Sequence, residues 1–173
     1  MKIFYTGVGS RKTPAGILRD MEHLGSLLSE RGLILRSGAS EGADTAFEKG
    51  CDKVRGEKEI YLPWRGFGKS NSDKYFISEV AYSSVDLNHP LPSSLTEIAR
   101  KLLARNYHQV VGYDDIKSLF IICWTPKGVI DGGTGQTIRV ANSLNIPVFN
   151  LALMGVEEVV EKIDEILNER GEC

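Results

Sequence analysis

The chain has 173 residues, which is enough for one domain with a full hydrophobic core. Its content of 42% hydrophobic and 25% charged residues is typical of a soluble globular protein. The net charge of −2 is close to neutral, whereas proteins that bind along a nucleic-acid backbone usually show a strong basic bias. A contact with nucleic acid would therefore need a local basic patch, while a small phosphorylated ligand needs much less positive charge.

The three cysteines, Cys51, Cys123 and Cys173, are widely spaced and form no CxxC or Cys/His pattern. This distribution indicates reduced thiols in a cytoplasmic protein rather than disulfides or a zinc site. Met1 leads directly into a strand-like segment without a signal-peptide pattern. No apolar run approaches the roughly 18 residues that a membrane span requires. We expect a cytoplasmic protein with no metal site and no contact with a membrane.

Strand-like and helix-like segments alternate along the chain. The predicted strands span residues 2–6, 33–36, 58–62, 118–124 and 146–151. The predicted helices span residues 14–31, 42–51, 74–84, 93–108 (with Ser93 or Ser94 as N-cap), 133–144 and 155–169. A glycine-rich loop, 63–73, and a loop with two prolines, 86–92, lie between them. The alternation predicts an α/β fold, a doubly wound, mostly parallel sheet in a three-layer sandwich, formed by one domain over residues 1–173.

Three predicted strands end in loops of small residues that lead into a helix. These loops are TGVGSRKTP (6–14), SGASEGAD (37–44) and WTPKGVIDGGTGQT (124–137). Parallel strands place all three on the same edge of the sheet, where ligands bind in this class of fold. Glycine lets backbone N–H groups approach a ligand, and a helix N-terminus adds unpaired donors and a positive dipole. The sequence therefore predicts a phosphate-binding pocket at this edge.

The candidate ligand contacts in these loops are glycines, hydroxyl and amide side chains, and a few charged residues. In chain order they are Gly7, Gly9, Ser10, Arg11, Ser37, Gly38, Ala39, Glu41, Gly42, Asp44, Gly132, Gly133, Thr134, Gly135, Gln136 and Thr137. Arg11 suits a bidentate phosphate contact, and the two carboxylates could accept hydrogen bonds from ribose hydroxyls. Structural alternatives stay open, because Ser10 could cap a tight turn and Asp44 could cap its helix. The catalytic residues are unknown, with Glu41 and Asp44 as the candidates.

The loop 63–73 adds an aromatic and basic candidate surface. Pro63 and Trp64 are further candidate ligand contacts, with the indole either stacked on a base or packed in the core. Basic and aromatic side chains alternate nearby; they are Trp64, Arg65, Phe67, Lys69 and Lys74. This cluster could be a platform for single-stranded nucleic acid or a lid over a nucleotide.

Four motifs appear in a fixed order: TGVGSR at 6–11, SGASEGADTAFEKG at 37–50, Arg105–Asn106 in ARNYHQVVG, and GGTGQTIRVA at 132–141. On these motifs the chain resembles the SLOG superfamily, a Rossmann-like group that joins DNA-processing protein A with the Lonely Guy phosphoribohydrolases. The resemblance is closest to the DNA-processing branch and to its short stand-alone members of phage type. It implies a nucleotide-binding Rossmann-like domain, a pocket that includes Arg105 and Asn106, and a homodimer.

The Lonely Guy enzymes carry the motif PGGxGTxxE, whereas this chain has DGGTGQTIR, with Ile138 at the position of the glutamate. An isoleucine cannot act as an acid or a base, so hydrolysis of an N-glycosidic bond would need Glu41 or Asp44 in a rearranged site. Three functions therefore stay open. The first is binding of a nucleotide or nucleotide-derived ligand, with no required cofactor. The others are a single-stranded-DNA-binding recombination mediator and a nucleotide glycosidic-bond hydrolase.

Overall fold

The computed structural model describes residues 2–171, which form five strands and six helices. The strands are β1 (Ile3–Gly7), β2 (Leu33–Ser37), β3 (Lys58–Ile60), β4 (Ile121–Cys123) and β5 (Val148–Asn150). The helices are α1 (Ala15–Glu30), α2 (Ala43–Lys53), α3 (Glu79–Asn88), α4 (Glu97–Val111), α5 (Gly132–Ser143) and α6 (Val156–Glu169). Single 3₁₀ turns lie at Phe67–Lys69, Pro92–Ser94 and Pro126–Gly128.

All strand pairs in the sheet are parallel, and the strand order is β3-β2-β1-β4-β5. Phe4 lies opposite Ile34 in β2, and Thr6 lies opposite Ile121 in β4. The chain winds from β1 outward to β3 and then returns to the other side of β1 to form β4. The order therefore reverses between β1 and β4, which is where a doubly wound sheet opens a crevice beyond its strand ends. The predicted parallel α/β fold is confirmed.

The two helix layers follow from the alternation of side chains along the strands. On one face, Tyr5 and Phe120 pack against the apolar sides of α1, α2 and α6. On the other face, Ile121 and Cys123 pack against α4 and α5, and α3 packs on α4. Because both faces of the sheet are covered, the strands are almost continuously buried. The helices cover the two faces of the sheet but not its carboxyl edge, where the loops that follow the central strands lie.

The predicted starts of α3 and α4 are wrong. α3 begins at Glu79, since the Ser78 hydroxyl caps it by accepting from Ala81 N, and residues 74–77 belong to no helix or strand. α4 begins at Glu97 with Thr96 as N-cap, while Ser93 and Ser94 belong to a 3₁₀ turn. A serine or threonine that bonds the backbone three residues later defines each start.

Within the described range, no helix is long and apolar enough to cross a membrane. The same range contains no group of three His, Cys, Asp or Glu side chains placed to hold a metal ion. Cys51 and Cys123 are buried free thiols, and Cys173 lies outside the described residues.

Candidate functional site

The loops that follow β1 and β4 are joined by backbone hydrogen bonds at the switch point of the sheet. Val8 N donates to Ile122 O, and Ser10 N donates to Trp124 O, both at 3.1 Å. The Thr13 hydroxyl donates to Ser10 O at 2.5 Å and closes the turn. Ser10 is partly exposed and Arg11 is exposed. The first loop therefore presents these two side chains on the rim of the crevice while its backbone is anchored to the third loop.

The first and second loops are also packed against each other. The Ser37 hydroxyl donates to Gly7 O at 2.6 Å. A β-carbon on Gly7 would lie 2.6 Å from the Phe47 ring, and one on Gly9 would lie 2.5 Å from the Ala43 β-carbon. The lack of a side chain at these two glycines lets α2 pack closely on the end of β1. Their backbone is close to protein atoms rather than to open space.

The second loop encloses the carboxylate of Asp44. Ala39 adopts a φ of 57° and Gly42 a φ of 98°, so the chain turns sharply before α2 begins. Gly42 is the N-cap and Asp44 lies in the first turn, where its Oδ2 accepts from Ser40 N at 3.2 Å. Asp44 is only 4% exposed, whereas Glu41 is exposed. The loop thus holds one carboxylate inside the protein and one in solvent.

Helix α4 connects the second loop, the end of β3 and the start of α5. Arg105 Nη1 donates to Gly38 O at 2.6 Å and to Tyr61 O at 2.8 Å. Arg105 Nε donates to Asn106 Oδ1 at 3.0 Å, and Asn106 Nδ2 donates to Gly133 O at 3.0 Å. Both residues lie inside α4, which continues to Val111, three residues beyond its predicted end at 108. Both are buried and fix the relative positions of the loops.

The electrostatics of the site are dominated by burial of Asp44 and Arg105. Burial raises the pKa of the Asp44 carboxyl to about 6, against the opposing attraction of Arg105 and the hydrogen bond from Ser40. Burial likewise lowers the pKa of Arg105 to about 10, while Asp44 raises it. The two groups therefore interact as opposite charges in a poorly hydrated region. Replacing Asp44 with asparagine would remove the negative charge while changing the shape of the side chain little.

The third loop differs from the first two because the start of α5 is open. Gly132 has a φ of 64°, and a β-carbon there would have no neighbour within 4 Å. Gly133 is exposed, and a β-carbon added to it would have Asn106 Nδ2, at 4.0 Å, as its nearest neighbour. Asp131 caps the helix by accepting from Gly132 N at 2.7 Å. Gly135, by contrast, packs against the backbone of Ile130.

Two buried polar atoms lie in the first turns of α5 without a hydrogen-bond partner among residues 2–171. They are Gln136 Nε2 and Thr137 Oγ1, in side chains that are 0% and 1% exposed. Thr134, one turn earlier, is also buried. Buried polar groups are nearly always paired in folded proteins, so this helix start contains hydrogen-bonding capacity that the protein itself does not use.

The loop after β3 covers the second loop. Gly68 packs directly on Ala39, where any side chain would collide with the carbonyl oxygen. Pro63 is buried, and Trp64 is 39% exposed, with its ring 5.3 Å from Phe67 in a T-shaped contact. Of the predicted basic and aromatic cluster, Trp64 contacts Phe67, while the Lys74 ammonium lies over the rings of Tyr61 and Tyr113.

Two residues that support these loops, Asn150 and Gln109, were not among the predicted site residues, and a third, Phe67, was predicted only as part of the basic and aromatic cluster. Asn150 ends β5 and holds the loop after β4, donating to Thr125 Oγ1 at 2.8 Å and accepting from Thr125 N at 3.3 Å. Gln109, 1% exposed, occupies the space beside Gly38. Phe67 lies with its ring 5.4 Å from the Arg105 guanidinium. Of these residues only Asn150 has a recognisable signal in the sequence, because it is the polar residue that ends the apolar segment IPVFN.

No protein-family model matches the chain, and a search of the curated proteins finds no match. Among solved structures, two of the molybdenum cofactor carrier protein of Chlamydomonas reinhardtii match with TM-scores of 0.62 and 0.61. Each is 15% identical in sequence, and each match covers 97% of this chain and 99% of that one. A molybdenum cofactor binding protein of Rippkaea orientalis matches at 18% identity with a TM-score of 0.49, covering 96% of this chain and 98% of that one. The two algal structures establish a shared Rossmann-like α/β fold over nearly the whole chain.

Proposed function

We propose that this protein binds a small phosphorylated, nucleotide-like ligand in the crevice formed by its three strand-end loops. The observation that carries the proposal is the pair of unpartnered buried atoms, Gln136 Nε2 and Thr137 Oγ1, at an open helix start. Two such atoms in two successive residues are costly, at about 1–3 kcal/mol each. A ligand with acceptor oxygens would satisfy both.

The start of α5 suits the phosphate group. Its first N–H groups have no helical partners, and the helix dipole favours an anion there. Gly132 and Gly133 add no side chains of their own at this helix start, where the Asp131 carboxylate accepts from Gly132 N and leaves the next N–H groups for a ligand. Arg11 and Ser10 on the rim of the adjoining loop would add a cation and a hydroxyl donor. We assign the phosphate to this end of the crevice.

The second loop suits the opposite, uncharged part of the ligand. Asp44 offers a buried acceptor for N–H or O–H groups, such as those of a ribose or of a nitrogen heterocycle. Arg105 acts as a positioning residue, because its Nη1 and Nε hydrogens are already donated to the protein. Trp64, on the loop that covers the second loop, is 39% exposed and would offer a surface for stacking on a heterocycle.

The fold neighbours narrow the ligands worth testing. The two algal structures are of a molybdenum cofactor carrier protein, and that cofactor is a phosphorylated pterin. We therefore propose a ligand among nucleotides and phosphorylated pterins, carried without a requirement for a further cofactor. Placement in the SLOG superfamily near its DNA-processing branch, a single domain over 1–173, a cytoplasmic location and a homodimer are parts of the same proposal.

Catalysis is not part of the proposed function. Ile138, at the position of the Lonely Guy glutamate, is buried in the apolar cluster beneath α4 and α5. Glu41 is exposed and Asp44 is enclosed by its own loop, so neither forms an arranged pair of acid and base. Single-stranded DNA is a competing ligand that the same experiment tests.

The test is thermal unfolding of the protein with AMP, ADP-ribose, NAD, cyclic nucleotides, a phosphorylated pterin and a single-stranded oligonucleotide, each at low and high salt. A ligand present at about one hundred times its Kd should add about 2.7 kcal/mol, which corresponds to roughly 5–10 °C for a chain of this length. The shift should persist at high salt for a small ligand in a pocket. An oligonucleotide bound through counterion release should lose its effect there.

Matched variants on one helix make the result specific. Thr137→Val removes the unpartnered hydroxyl within the proposed site, and Asn142→Ala changes an exposed residue of the same helix. The first should reduce the ligand-induced shift, and the second should leave it unchanged. Arg11→Ala should also weaken binding. The proposal fails if no small ligand shifts the transition, or if Thr137→Val and Asn142→Ala respond equally. Release of free base from a nucleotide would instead establish the hydrolase.

A further inference from the structure

Helix α3 carries apolar side chains on two of its faces. Ala81 and Val85, on one face, are buried against α4. Val80 and Leu87, two helical turns apart on another face, are 60% and 83% exposed. A helix that is apolar on both sides is normally covered on both sides. The exposed side of α3 therefore indicates a surface that is covered when the protein is assembled.

A groove of about 210 Å³ lies beside this exposed side of α3. Val80 and Leu87 line it from α3, Tyr107 lines it from α4, and Val140 and Leu144 line it at the end of α5. The rest of its lining is serine and asparagine, so among residues 2–171 no charged side chain lines the groove. Depletion of charged residues is the compositional feature that marks the core of a protein–protein interface.

The charges at the border of this face balance within one chain. The Asp86 carboxylate accepts from both Nη atoms of Arg100, at 2.6 and 2.7 Å. Glu79 at the start of α3 and Arg139 on α5 add one charge of each sign. A two-fold interface places a surface against its own copy, and a face without net charge can meet itself without repulsion. The outer side of α6, in the opposite helix layer, is acidic and would repel its own copy. It exposes Glu157, Glu158, Glu161, Glu165 and Glu169.

We infer that α3 and the adjoining groove form the interface of a homodimer, an inference that rests on the homodimer included in the proposed function and gives it a surface. The two α3 helices lie antiparallel across the two-fold axis, which keeps the two Glu79 side chains apart by most of the helix length. Leu87 of each copy packs into the groove of the other. The same face thus supplies both the projecting side chain and the groove, as two-fold symmetry requires.

The size of this face sets the strength of the dimer. α3 has 10 residues and is about 15 Å long, and a helix with its side chains is about 10–12 Å across. α3 and the neighbouring part of α5 therefore give a face of roughly 15 by 20 Å. A standard interface buries about 800 Å² on each partner, so this face lies at the small end of specific interfaces. We expect a reversible dimer with a Kd on the order of micromolar.

Sedimentation equilibrium of the whole chain without ligand tests the inference. Over concentrations from well below to well above the micromolar range, the average mass should rise from that of one chain to that of two. Leu87→Asp should raise the dimer Kd at least about a hundredfold, because the symmetry makes the substitution act twice. Leu153→Asp, at a leucine that is 68% exposed on the loop after β5 and outside the groove lining, is the matched control and should leave the Kd unchanged.

Ser143→Arg tests the opposite wall of the groove. It places a bulky cation at an exposed position of that wall and should also weaken the dimer. Both Leu87 and Ser143 are exposed in the single chain, so thermal unfolding should show that both variants fold. A protein that stays monomeric at every concentration overturns the inference and leaves the face to a different partner. Equal weakening by Leu87→Asp and Leu153→Asp, or a dimer that neither Leu87→Asp nor Ser143→Arg affects, overturns it as well. Failure of nucleotide binding would not, since these measurements contain no ligand.

Discussion

Asp44→Asn should stabilise the protein at neutral pH and have no effect near pH 4. Burial raises the pKa of this carboxyl from 3.8 to about 6 in the folded protein, a shift that already includes the attraction of Arg105. Two pKa units correspond to about 3 kcal/mol. An acid whose pKa is raised on folding binds more protons in the folded state, so stability rises as the pH falls through 6 and levels off near 4. Above pH 6 the charged Asp44 imposes the full cost.

The assay is urea unfolding of the original protein and of the variant at intervals from pH 8 to pH 4. The difference between the two proteins isolates Asp44 from the other titrating groups. Glu41→Gln, at an exposed carboxylate of the same loop, is the control and should change the free energy of unfolding by less than about 0.5 kcal/mol. If Asp44→Asn lowered stability at pH 8, attraction to Arg105 would outweigh burial and the reasoning would be refuted.

Three further substitutions test the packing around the site. Gly7→Ala should cost at least about 1–3 kcal/mol because its β-carbon would overlap the Phe47 ring; Gly133→Ala, at an open position, should cost much less in the same urea titration. Tyr5→Phe should raise the melting temperature by roughly 2–8 °C, since the buried Tyr5 hydroxyl has no partner within the described residues and its removal ends a cost of about 1–2 kcal/mol. Arg105→Met should lower the free energy of unfolding by about 3–5 kcal/mol, because it leaves two carbonyl groups and a carboxylate without their buried partner; a loss below 1 kcal/mol would contradict its assignment as a positioning residue.

The sequence was sufficient for elements whose limits depend on local patterns. α1, α2, α5 and α6 lie within two residues of their predicted bounds, since glycines, prolines and helical spacing mark them. The segment 74–96 was predicted less well. Residues 70–74 follow the edge of β3 through hydrogen bonds to Ile60 and Leu62, which are distant in sequence. Such long-range bonds compete with helix formation and leave no local pattern.

The candidate site was predictable at the level of loops but not of individual glycines. Gly7, Gly9 and Gly135 are enclosed by protein atoms, whereas Gly132 and Gly133 are open. The same residue type serves both purposes, and the difference lies in neighbours such as Phe47 that the sequence does not place beside them. The burial of Arg105 within α4 was equally hidden, because its partners follow two separate strands.

The polar groups of the crevice divide into those that hold the loops together and those that are left over. Arg105 and Asn106 belong to the first class, since their donors are used within the protein. Gln136 and Thr137 belong to the second, and they and the charged Asp44, which burial destabilises, each make the unliganded fold less stable. At about 1–3 kcal/mol apiece these costs are comparable with the whole margin of stability of a typical domain, about 5–15 kcal/mol. Replacing all three with apolar or neutral residues should therefore give a more stable protein with the same fold. A ligand that donates to Asp44 and accepts from α5 would recover the same free energy without any substitution.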